Sequence, residues 1–78
     1  MKLKQIASNM TELTVNPSVT VFFSYETPVA ARLAYGELVR TEEWYSATTT
    51  KHINKWLKGC EARTVSQSHI NSLLQSAI

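Results

Sequence analysis

Apolar side chains recur at every second position as far as Thr41 and at every third or fourth from Thr48 onward, so the chain builds strands first and helices afterwards. That order selects an α+β layer. The expected fold is a small antiparallel sheet of three to five strands, its face covered by two C-terminal helices. With 78 residues there is room for one domain, residues 1–78.

The strongest strand signal is Val19-Thr20-Val21-Phe22-Phe23-Ser24-Tyr25, β-branched or aromatic at nearly every position. Val19, Val21, Phe23 and Tyr25 fall on one side of it, and Thr20, Phe22 and Ser24 on the other. Glu12 to Val15 alternates in the same way, and Asn16-Pro17-Ser18 reads as a three-residue turn that pairs the two runs as a hairpin. Pro28, with no N–H to donate, is expected to break the ladder before Val29, Ala31 and Leu33 resume it on one face. Tyr35-Gly36-Glu37 turns into Leu38–Thr41, and Lys2 to Ile6 reads as an edge strand guarded by its lysines.

Two helices follow. Thr48, Thr49 or Thr50 offers an N-cap, Ile53, Trp56, Leu57 and Cys60 make one stripe, and Gly59 supplies a stop, giving a helix over about 49–58. Ser66 caps a second helix over about 67–77, with Val65 and Ile70 as a hydrophobic staple and Ile70, Leu73, Leu74, Ala77 and Ile78 as its stripe.

Composition narrows the chemistry. There is no aspartate, which removes Asp-based dyads and EF-hand loops, and Cys60 is the only cysteine, so no internal disulfide can form and the cytosol is the expected compartment. The N-terminal stretch meets polar Gln5, Ser8 and Asn9 before any apolar run and does not read as a signal peptide, and no run approaches the ~18 apolar residues of a membrane span. Net charge is +2, with the excess held by Lys51, Lys55, Lys58 and Arg63 near the C-terminus. A core this small gives roughly 3–5 kcal/mol unaided, which makes a homodimer or partner-bound form a fair expectation.

Three candidate chemistries arise. Cys60 with His52 or His69 could form a thiolate–imidazole pair or contribute metal ligands, but the spacings of eight and nine match no common zinc pattern, and Cys60 completes an apolar stripe. No catalytic activity, cofactor or metal is therefore expected, and His52 is assigned to the helix edge or to a neighbouring hydroxyl. Lys51, Lys55 and Lys58 share a helix face that, with Arg63 and the second helix's Gln67, Ser68 and Asn71, could touch nucleic acid. Tyr35, Trp44 and Tyr45 lie in or beside loops, where large aromatics serve as interface anchors.

Ser-Tyr-x-Thr-Pro-Val-Ala at 24–30, followed by Ser-x-Thr-Thr-x-x-His-x-x-x-Trp-Leu at 46–57, resembles a group of small uncharacterised bacteriophage and prophage proteins, over residues 20 to 75. The resemblance implies a viral origin and a protein that binds and blocks a host or anti-phage defence component, such as a CRISPR effector. It carries no catalytic residue. The resulting expectation is a non-catalytic inhibitor or modulator that meets its partner through Tyr35, Trp44, Tyr45, Lys51, Lys55 and Lys58. The alternative is a small DNA- or RNA-binding protein using Lys51, Lys55, Lys58, Arg63, Gln67, Ser68 and Asn71.

Overall fold

The computed structural model describes residues 2–75, a six-stranded sheet with a helix on each face. In chain order the elements are β1 (Lys2–Ala7), β2 (Met10–Asn16), β3 (Val19–Ser24), β4 (Thr27–Arg32), β5 (Leu38–Thr41), α1 (Ala47–Leu57), β6 (Arg63–Val65) and α2 (Gln67–Gln75). Spatial order follows chain order. β1 to β5 form an antiparallel meander, and β6 pairs parallel with β5. The class is α+β as expected, but the sheet has six strands and is mixed where three to five antiparallel ones were expected. A three-residue strand such as β6 is too short to give a periodic signal, and its parallel pairing requires the crossover that α1 provides.

The central strand explains why the helices separate. Val21 and Phe22 are neighbours on β3 and point to opposite faces, and both are fully buried. Phe22 packs with Met10, Val29, Ala30, Ile53 and Leu57, which is the α1 side. Val21 packs with Val15, Ala31, Val39 and Ile70, which is the α2 side. Two apolar faces need two covers, so the helices do not share one face as the sequence suggested.

Other differences have local causes. Pro28 does not break β4: it pairs with Phe23, and the β5 ladder begins only at Ala30, where its missing N–H has no consequence. A bulge between Phe22 and Phe23 absorbs one extra residue of β4, which sends Val29 to the α1 face while Ala31 keeps to the α2 face. The hairpin turn is Pro17-Ser18, with Asn16 inside β2 and its Oδ1 accepting from the Ser18 N–H at 2.8 Å. Residues 76–78, with Ala77 and Ile78 of the expected second stripe, lie outside the described residues.

α1 starts earlier than its threonines suggest, because Ser46 is the N-cap: its Oγ accepts the Thr49 N–H at 3.1 Å. Lys58 ends it in a left-handed conformation, followed by Gly59 at φ +80°. Cys60 therefore lies beyond the helix and is exposed, and it is not part of the buried stripe. Ser66 caps α2 as expected, accepting the His69 N–H at 3.1 Å. Replacing Ser46 with Ala should lower stability by about 1 kcal/mol, readable as a shifted urea midpoint at unchanged slope. No helix among the described residues is long and apolar enough to cross a membrane.

Candidate functional site

β3 and β5 run in the same direction, so the turn after β3 and the loop after β5 emerge at one end of the sheet. That end carries Tyr25, exposed by half, and Trp44 and Tyr45, exposed by 73% and 42%. Glu26, Glu42 and Glu43 are exposed beside them. Tyr35 precedes β5 and is fully exposed at the opposite end, so the aromatics expected to act together fall into two places.

A buried polar network holds the first of these ends in shape. Ser24, 1% exposed at the end of β3, places its Oγ 2.7 Å from His52 Nδ1 and 3.2 Å from Thr49 Oγ1. Thr49 Oγ1 is in turn 3.2 Å from the Oγ of Ser46, the α1 cap. The chain of hydroxyls is satisfied with the protons running either way. With Nδ1 unprotonated, Ser24 donates to it; with a proton on Nδ1, the ring donates to Ser24 and Ser24 donates to Thr49. Directly after Ser24 the backbone turns left-handed at Tyr25, φ +58°, and the Tyr25 N–H donates to the Asn9 carbonyl at 2.8 Å. The Tyr25 ring lies 5.6 Å from that of His52. A left-handed tyrosine costs about 1–2 kcal/mol, so the turn is held by what surrounds it, and the consequence is an outward-facing ring.

A serine oxygen 2.7 Å from an imidazole nitrogen also has the spacing of a nucleophile and its base. Ser24 nevertheless sits under α1 with its side chain closed off from solvent, so no substrate carbonyl can approach Oγ. The pair ties strand to helix. The other pairings considered from the sequence are not assembled: Cys60 is about two turns of chain beyond His52, and His69 is on α2, across the sheet. Among the described residues no three His, Cys, Asp or Glu side chains are placed to hold a metal ion.

The basic residues also separate. Lys51, Lys55 and Lys58 are exposed on α1, whereas Gln67, Ser68 and Asn71 open α2 on the other face of the sheet. Gln67 Nε2 donates to the Pro28 carbonyl at 2.7 Å and to Asn71 Oδ1 at 3.0 Å, which occupies two residues that a base edge would need free. Arg63 lies 3.7 Å from Glu37 at an exposed surface. Lysine stripe and second helix therefore cannot meet one nucleic-acid groove, and the helix-turn-helix arrangement is not formed.

What does surround Lys55 and Lys58 is a groove of about 700 Å³ between α1 and β1, lined also by Lys4, Ile6, Glu12, Arg32, Trp56 and Cys60. Trp56 forms its wall: its ring stacks on Phe22 with centroids 5.0 Å apart, Arg32 lies 5.9 Å over it, and its Nε1–H donates to Glu12 at 2.6 Å. Tyr25, Glu12 and Ser24 were not singled out by sequence reasoning. The signal was a serine and tyrosine at the end of a strand, ahead of a turn.

The two stretches that carry the sequence resemblance thus meet in space through Ser24, Thr49 and His52. Compared with known proteins, residues 1–72 match a family model described as a family of unknown function (DUF8033). No curated protein and no solved structure matches the chain.

Proposed function

The chain belongs to DUF8033, a family whose description assigns no activity, and from its geometry we propose that it is a non-catalytic binding module. It meets a partner protein through the end formed by Tyr25, Trp44 and Tyr45. The observation that carries this reading is the exposure of all three rings on short, tied-down connections: one follows the half-buried Ser24–His52 bond, and two precede the Ser46 cap of α1. Exposed aromatics on a rigid base lose little entropy on binding and bury large areas, which is how interface anchors work. Glu26, Glu42 and Glu43 around them favour a partner surface that is basic at its rim. The resemblance to phage proteins directs the search for that partner to host and anti-phage defence complexes, where occupying a surface is enough to inhibit.

The test is affinity capture from a bacterial lysate with the native chain and with a Trp44→Ala, Tyr45→Ala variant, followed by titration of the recovered protein. The variant should fold normally and bind at least about 30-fold more weakly, the scale of a lost hot spot of about 2 kcal/mol. Equal affinity for the two chains would remove these rings as the contact.

A further inference from the structure

β1 is exposed at all six positions, Leu3 by 69%, and among the described residues its outer edge has no neighbouring strand. Edge strands of this kind leave a row of backbone N–H and C=O groups unpaired. α1 packs over β3, its apolar stripe resting on Phe22, Val29 and Ala30, which leaves β1 beyond its reach and opens the groove already described. Lysines on an edge strand ordinarily do no more than discourage unwanted pairing. Here cations converge on one groove from three elements: Lys4 from β1, Arg32 from β4, and Lys55 from α1 with Lys58 from its C-cap. Glu12, opposite Lys4 in the β1–β2 register, is the only carboxylate lining it among the described residues, and one of its oxygens accepts from Trp56.

We propose that the outer edge of β1 and this basic groove bind an extended acidic segment of a partner protein, which adds to the sheet as a seventh strand. Backbone hydrogen bonds hold the segment. Its side chains divide by the two-residue period, carboxylates towards Lys4, Lys55 and Lys58 and apolar groups towards Leu3 on the other face. A second copy of this chain is a poorer occupant, because antiparallel pairing of two β1 strands about Leu3 sets Lys2 against Lys4, and pairing about Lys4 sets that lysine against its copy. None of Tyr25, Trp44 and Tyr45 lines the groove, so its test does not depend on the aromatic contact.

The probe is a labelled peptide of about eight residues alternating Glu and Val, a common strand length, titrated by fluorescence anisotropy at about 50 mM salt. Saturable binding is expected, at least about tenfold weaker for the Lys4→Glu, Lys55→Glu variant. It should be lost when the peptide is N-methylated along its backbone, which keeps the carboxylates and removes the donors. Both substituted lysines are exposed, so the variant should fold, which circular dichroism checks. Three results would overturn the proposal: undiminished binding of the methylated peptide, tighter binding of a single-stranded or duplex oligonucleotide than of the peptide, or a dimer by light scattering that Lys4→Glu alters.

Discussion

Phe22→Ala should leave the chain largely unfolded at 25 °C. Phe22 is fully buried at the centre of the α1 side, stacked on Trp56 and packed with Met10, Ile53 and Leu57. Truncating a buried phenylalanine costs about 3–5 kcal/mol, transfer and cavity terms together. A single core in a chain of this size supplies about as much in total. The loss also reaches Trp56, whose ring would keep its Glu12 bond but lose the surface against which it is stacked. Tryptophan fluorescence in urea gives the readout: the wild type should show a cooperative transition and the variant only its unfolded baseline. A variant that unfolds with a midpoint near the wild-type value would mean that α1 is not seated on this face. Phe22→Leu, which keeps most of the volume, should recover a transition at lower urea.

The same residue marks how far the sequence could be read. Alternation along Val19–Ser24 assigned both faces of β3 correctly, because a strand has a period of two and nothing in this run disturbs it. Phe22 among threonine and serine was already a sign that the second face is buried, and two apolar faces cannot share one layer of helix. The bulge at Val29 had one local sign, Pro28 beside it, but an extra residue in a ladder is a property of the pair and not of either strand. Cys60 was misplaced because the apolar period ran on past Gly59, while the left-handed turn at Lys58 and Gly59 had already ended the helix. The candidate site was legible only as a set of residue types. Trp44 and Tyr45 were visible as loop aromatics, but Tyr25 joins them through the return of β5 to the end where β3 finishes, and that depends on sheet order, which no single segment encodes.

Ser24→Ala should cost about 1–3 kcal/mol and also weaken partner binding, and the second effect is the one that connects fold to function. Removing the hydroxyl strips a hydrogen bond from His52 Nδ1 and from Thr49 Oγ1 at once. Thr49 is buried and keeps only its contact with Ser46, while His52 is half-buried and recovers water in part. A buried polar group left without a partner costs about 1–3 kcal/mol, and here the loss is spread over two groups that each keep a partial one. His52 and Thr49 both belong to α1, so the loss loosens the helix start from the end of β3. The Tyr25 turn sits at that junction, left-handed and next to the His52 ring. With its support weakened, the strained turn has alternatives, and the three exposed rings lose the fixed arrangement that makes them anchors. Binding of the captured partner, measured at a temperature where the variant is still folded, should fall more than for Ser46→Ala, which acts on the helix cap and leaves the Ser24–His52 bond in place. Equal binding by both variants would mean that the network supports the fold without shaping the aromatic end.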